Sequence, residues 1–364
     1  YSYFVMNRLS RYIFIKFLGS FVLFMGLVMM IAIVFDISQK VDNFINKNVS
    51  LYSIIFDYYV NFIAFYGTTF SSLIVFLSTI FVTGRMARDG EIVAALTGGV
   101  SFPRILKPFL LGALTLFIIN SFLTHLIIPK TNITRIHFED TYIQDKIIKR
   151  PINIHRQILP NHYIYIETWS PERLGGYHFS YERFKNQKLS DKLIADFVRY
   201  DTVKKQWQVD NWTLRTWLPS GNMKIEQGRR LDTAFPFNPG IISPDTRGTA
   251  TMTSPMLLKY INQERLSGSE AIISHEMEWH KRTAYPFSIF ILVFIATVLS
   301  SEKKRGGIGS QIALGLLIAV IYIFFMQLGG VLASIPYVSS FWAIWFPNFI
   351  FSALGIVLYL LASK

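Results

Sequence analysis

Three long apolar segments, a mostly polar stretch over Pro129–Arg282, and three more apolar segments divide the 364-residue chain. No other feature narrows the possible folds as much. A helix needs about 20 mainly apolar residues to cross roughly 30 Å of hydrocarbon. Six segments qualify: Phe17–Phe35, Tyr58–Thr83, Phe109–Ile128, Ala284–Ser301, Ile312–Ala333 and Trp342–Ala362. The fold class is therefore a membrane α-helical protein of six transmembrane helices, arranged 3+3, around one inserted domain. Its 51% hydrophobic and 16% charged composition is too apolar for a soluble domain. The first segment lacks a small-residue cleavage site and runs through polar Asp36–Lys47 toward the second, so it reads as a retained span. The boundaries that follow are 1–128 for spans one to three with a short helix at 89–99, 129–282 for the insert, and 283–364 for spans four to six.

Charge sets the expected orientation. With the N-terminus cytoplasmic, the inner loops hold Arg8, Arg11, Lys16, Arg85, Arg88, Arg104, Lys107, Lys303, Lys304, Arg305 and Lys364. The short outer loops hold only Lys40 and Lys47. That asymmetry satisfies the positive-inside rule, with both termini cytoplasmic and the long insert on the other side. Much of the net charge of +13 is thus topological, and nucleic acid is not an implied partner. The absence of cysteine excludes disulfides, thiol nucleophiles and thiolate metal sites.

The centre of the insert reads as β structure. Tyr163–Trp169, His178–Phe184, Leu193–Tyr200, Gln206–Leu218 and Met223–Gln227 are rich in aromatic and β-branched residues. Turn signals separate them at Ser170-Pro171, Gly175-Gly176, Lys185-Asn186, Asp201 and Pro219–Asn222. Such spacing suggests a sandwich or barrel. Thr131–Lys149, Ser254–Glu264 and Ser269–Lys281 read as helical edges. Trp207, Trp212 and Trp217 lie five apart, a spacing that alternates faces in a strand.

His275-Glu-Met-Glu-Trp-His280 fails as a zinc motif, because its histidines are five apart and do not share a helix face. No phosphate-binding G-x-x-x-x-G-K-[ST] run is present, and Lys304–Gly309 lacks both its spacing and its end. The chain is expected to bind no cofactor itself; if ATP drives this protein, ATP and magnesium sit on another subunit.

Arg85–Pro108 is the most structured inner loop. Asp89 suits an N-cap, Glu91 the first turn, and Gly98-Gly99 a stop. Ile92, Ala95 and Leu96 make a small apolar face. A helix this short needs a surface to dock on. Two readings fit: a coupling helix seated on a motor protein, or an interfacial helix in the headgroups. Ser101 reads as the cap of the third span. Asn120, His125 and Gln327 are polar residues inside spans; intramembrane ionisable groups are functional candidates by default, but one histidine near a helix end is more often a satisfied interface residue.

These features resemble the lipopolysaccharide-export permeases of the LptF/LptG family over essentially the whole chain. The carrying residues are Glu91 with Gly99 eight on, then Ser101, and Arg282 four before Pro286. Tyr165-Ile-Glu167, Leu174-Gly-Gly176 and Trp207 lean toward LptG. The chain departs from the pattern at Thr97-Gly98 and in keeping only Lys40 near the outer end of span one. The resemblance implies a periplasmic β-jellyroll-like insert and a location in the inner membrane of a Gram-negative bacterium. It implies a permease of an ATP-binding-cassette exporter that extracts lipopolysaccharide and passes it to a periplasmic bridge protein of the LptA/LptC type. The implied partners are an LptB-like ATPase dimer and a second LptF/LptG-type permease. Arg88, Glu91, Ile92, Ala95 and Gly99 are the expected coupling residues; the alternative role for Glu91 is simple dipole compensation. Lys40, Lys281 and Arg282 are the expected lipid phosphate contacts, or else ordinary snorkelling cations. A scaffold that only organises periplasmic partners, and an intramembrane hydrolase, are the competing functions.

Overall fold

The computed structural model describes residues 7–143, 152–218, 222–242, 248–266, 272–301, 307–333, 335 and 337–362. Lys303, Lys304, Arg305, Lys364, the Pro219–Gly221 part of one turn and the ends of two expected helices, 144–149 and 269–271, lie outside them. The chain divides into two compact units. One comprises Tyr1–Asp145, Ala250–Ser254 and Glu276–Lys364; the other comprises Lys146–Thr249 and Pro255–His275.

The first unit carries the membrane helices: α1 (Arg8–Asn46), α2 (Ser53–Arg88), the short α3 (Glu91–Thr97) and α4 (Phe102–Ile143). After the insert and its helix α5 (Ser254–Leu266) come α6 (Ile272–Ser300), α7 (Gly307–Leu332) and α8 (Ser340–Leu361). Six of these are long and apolar enough to span a bilayer. They outrun their apolar windows. At 1.5 Å per residue, α1 with its 39 residues is about 58 Å long, nearly twice the hydrocarbon thickness. Helix α6 starts at Ile272, well before the apolar residues begin.

Helix α6 is the centre of this unit, with 67% of its span buried against 11% for α1. Pro286 interrupts it, because proline has no N–H to offer the carbonyl four residues back, that of Arg282. A carbonyl freed in a bilayer needs a donor, and His125 of α4 lies beside the Arg282 backbone. Two neighbouring carbonyls of α6 also accept side-chain bonds from other helices: Ser72 Oγ donates to Tyr285 O at 3.1 Å and Asn348 Nδ2 to Ala284 O at 2.9 Å. Tyr322 OH donates to Asn348 Oδ1 at 2.9 Å. In α4, a π-helical stretch at Leu123–Ile127 makes room for the ring of Pro129.

The second unit holds one antiparallel sheet: β1 (Ile152–Leu159), β2 (His162–Ser170), β3 (Gly175–Lys185), β4 (Lys188–Asp201), β5 (Gln206–Trp217) and β6 (Met223–Thr233). The strands lie in chain order, so every connection is a hairpin, and the expected β domain takes this up-and-down form. Strand β1 is absent from the sequence expectations. Gly175-Gly176 is not a turn but the start of β3: a Cβ on Gly175 would meet Phe197 Cζ at 2.6 Å, and one on Gly176 would meet Ile166 Cγ2 at 2.5 Å. The turn is Pro171–Leu174, with Leu174 at φ +46°. Asn186 and Gln187, at φ +52° and +62°, form a type I′ hairpin turn.

A transverse crease crosses the whole sheet. In each of the five ladders the pair is missing along one row: Asn153, Glu167, His178, Asp196, Asn211, Arg229. On alternate strands the row residue is left-handed: Asn153 at φ +52°, His178 at +50° and Asn211 at +51°. Register is the same on both sides, yet the inward parity changes. On β2 the buried apolar residues are Ile164 and Ile166, then Trp169; on β4 they are Leu193 and Ala195, then Val198. Trp207 and Trp212 therefore share the inner face despite their spacing of five, whereas Trp217 is exposed. The inner face continues apolar across the crease, capped by Phe235 and Phe237, with Trp207 Nε1 donating to Phe237 O at 3.0 Å. A buried ion pair, Arg156 Nη1 to Glu264 Oε2 at 2.8 Å, ties β1 to α5.

Candidate functional site

The α2–α3–α4 turn is built from local rules. Gly90, at φ +80°, reverses the chain in the left-handed region and serves as the N-cap of α3. Asp89, expected there, instead ends α2. Its carboxylate is occupied by Arg88 Nε at 3.0 Å and Arg85 Nε at 3.6 Å. The hydrogen bond from Arg88 is the main reason its carboxyl sits below the usual carboxylate range. The other end of α3 is a Schellman motif: Gly99 N–H donates to Leu96 O and Val100 N–H to Ala95 O, each at 3.0 Å. That motif demands a positive φ at Gly99, which stands at +83°. Ser101 is at the N-cap position of α4 but makes no side-chain cap bond.

Side chains anchor the short helix. Ile92 is buried in one cluster with Ile13, Phe17, Met86, Ala87 and Ile105, and Ala95 and Leu96 pack against it. Glu91 is held by α1: Tyr12 OH donates to its two oxygens at 3.1 and 3.3 Å, and Lys16 Nζ to Oε1 at 3.3 Å. Lys16 also donates to Tyr12 OH at 2.5 Å. Val93, Ala94, Thr97 and Arg88 are left exposed. The five expected coupling residues thus gather around one small helix. Tyr12 and Lys16, which sequence reasoning missed, stand four apart on one face of α1; that spacing is the only signal they give.

The three expected phosphate contacts fare differently. Lys40 is half-buried, paired with Asp36 Oδ1 at 2.5 Å and bonded to Tyr58 OH, while Tyr59 OH donates to Asp36 Oδ2 at 3.1 Å. Tyr58 in turn stacks on Phe138 of α4. Arg282 is only 3% exposed. It donates to Met252 O at 2.8 Å, Ser254 Oγ at 3.2 Å and Glu278 Oε1 at 3.2 Å. Both cations are committed to internal partners. Lys281, half-buried, has no ion-pair partner among the described residues.

Two of the intramembrane polar residues, Asn120 and His125, bond to neighbouring segments. Asn120 Nδ2 donates to Thr68 O at 3.1 Å and to Ser71 Oγ, and His125 Nδ1 bonds Ser254 Oγ at 2.7 Å. Gln327 lines a cavity of about 120 Å³ between α2, α6 and α7. His275 packs on Tyr260 and His280 on Phe341. No group of three His, Asp or Glu among the described residues is arranged to hold a metal ion.

Six spanning helices, an antiparallel β insert and a short helix locked between the second and third spans define a multi-pass membrane protein of transporter type. A family model, lipopolysaccharide export system permease LptF/LptG, matches residues 11–361, and the chain belongs to that family. It is a transport subunit of the inner membrane, not itself an ATPase. No curated protein matches the chain.

Proposed function

We propose that this chain is one permease of a pair in an ATP-binding-cassette exporter, with a separate ATPase dimer seated against α3. The observation that carries the reading is the construction of α3. It is too short to persist alone, yet it is fastened by Ile92 below, Glu91 to α1 and a Schellman stop behind, with Val93, Ala94 and Thr97 bare. A helix so fixed moves with α1 and α2, and a push on its bare side is passed to the spans.

In this reading the termini and α3 face the cytoplasm, as the loop charges favour. The β domain receives lipopolysaccharide on the other side and passes it to a periplasmic bridge. ATP and magnesium stay on the partner, and no cofactor is bound by this chain. Arg88 and Glu91 are the charged groups nearest the proposed contact, and Gly99 shapes it. Of the phosphate contacts, Lys281 is the one with an uncommitted ammonium; Lys40 and Arg282 would act mainly by shaping the helices. The Tyr165–Glu167, Leu174–Gly176 and Trp207 pattern favours the LptG type.

Glu91→Lys tests the coupling. It sets two ammonium groups side by side at Lys16, so α3 should shift while the spans stay folded. The expected outcome is continued ATP hydrolysis with lipid release lost in reconstituted vesicles; unchanged release would sink the coupling role. Extraction in mild detergent should bring an ATPase and a second permease with the chain.

A further inference from the structure

Beside the crease of the β domain, a cavity of about 350 Å³ is lined by Arg173, Tyr177, Phe197 and Arg199. It lies away from the apolar core. Tyr177 is 44% exposed, and Arg173 and Arg199 are exposed as well. The crease puts the two rings there: Tyr177 and Phe197 pair directly across β3 and β4, next to His178 and Asp196 of the creased row. Their centroids are 4.8 Å apart. Phe197 lies over Gly175, where any side chain would displace it. The glycine thus lets the Phe197 ring take the position from which it lines the cavity.

A cross-strand aromatic pair stabilises a sheet modestly on its own. That accounts for the rings but not for the charges. Two guanidinium groups share this small space, and no carboxylate lines it. Arg199 gives one N–H to Gln208 Oε1 at 2.9 Å, leaving the rest of its fork free. Arg173, on the Pro171–Leu174 turn, has no ion-pair or hydrogen-bond partner among the described residues. Asp201 is the acid that feels Arg199, but its Oδ1 caps the next turn, accepting from Val203 N at 2.9 Å and Lys204 N at 3.0 Å. Two like charges held together without a counter-ion favour an anion between them. Planar guanidinium forks match carboxylate and phosphate. The adjoining rings offer a flat apolar wall that a bare anion cannot use.

We propose that this pocket binds a saccharide carrying a phosphate or carboxylate, with the anion on Arg173 and Arg199 and a sugar face against Tyr177 and Phe197. The saccharide of a lipopolysaccharide and a free glycan phosphate both have that chemistry. The assignment does not depend on the ATPase-coupling reading.

Calorimetry on the full chain in detergent micelles tests it, with glucose 1-phosphate, glucose and inorganic phosphate as probes. Glucose 1-phosphate should bind more tightly than inorganic phosphate, and glucose should give no measurable heat. Arg173→Gln with Arg199→Gln should weaken glucose 1-phosphate by at least about tenfold, the equivalent of 1.4 kcal/mol. Tyr177→Ser should weaken glucose 1-phosphate while leaving inorganic phosphate unchanged. Equal affinity in wild type and the double variant, or inorganic phosphate binding as well as the sugar phosphate, would overturn the proposal. If the glutamine pair fails to fold, Tyr177→Ser decides it, since a folding defect cannot spare one probe and weaken the other. Deacylated lipopolysaccharide saccharide then identifies the source. Tighter binding than glucose 1-phosphate, with the same arginine dependence, supports the exported lipid; weaker binding with that dependence supports a free glycan.

Discussion

Helix α1 carries the same chemistry at two levels, and the two copies differ in what surrounds them. Near its start, Lys16 and Tyr12 hold the carboxylate of Glu91; further along, Lys40 with Tyr58 and Tyr59 holds Asp36. Each is a lysine, a carboxylate and phenolic hydroxyls. The Glu91 group faces solvent and ties down a helix only two turns long. The Asp36 group is walled by Phe44, Phe62 and Phe138. An ion pair open to water is worth little and can be exchanged for another partner. A pair partly shielded from water loses more when one member is removed. The first arrangement suits a contact that changes hands, the second a fixed joint between helices.

Asp36→Ala gives the sharpest break of that contrast. It leaves the half-buried Lys40 ammonium with only Tyr58 OH beside it, and should cost on the order of 2 kcal/mol. The thermal unfolding midpoint in detergent should fall, and adding Lys40→Met should restore most of it. A midpoint unmoved by Asp36→Ala would mean that the joint is as replaceable as the Glu91 group. Gly99→Ala comes next. Nothing lies within 4 Å of the added methyl, so the cost is that of the backbone alone at φ +83°, about 1 kcal/mol. It should appear as faster amide exchange in α3 with the spans unaffected. Glu91→Gln should change global stability by less than about 1 kcal/mol; a shift as large as that of Asp36→Ala would erase the distinction. The smallest effect is at Asp89. Its folded carboxyl is depressed, so its contribution exists above the ordinary carboxylate range and is lost as pH falls through the depressed value. Arg88→Ala should raise the Asp89 titration midpoint toward the ordinary value, measured by carbon NMR on labelled aspartate.

Much of the helical architecture is legible in the sequence, because hydropathy and glycine act locally. The spans and the Gly98-Gly99 stop follow from single segments. Asp89 shows the limit of even local reading: Asp89 and Gly90 both suit a cap, and the choice fell to the residue that could adopt φ +80°. Glu91 was identifiable, but its partner Tyr12 lies 79 residues away in the chain. Lys40 and Arg282 read as spare cations because their burial and partners depend on helix packing. In the β domain, strict alternation put Trp207 and Trp212 on opposite faces; the crease, with three residues in the left-handed region, reversed the inward parity on β2, β4 and β5.

The sequence by itself determined the spans, the family and the place of α3, since bilayer thickness and backbone stereochemistry act on any chain the same way. Which charges are spent and which remain available was decided only by the tertiary structure. A cation is free or neutralised according to what packs beside it, and that packing brings together residues that no local pattern links.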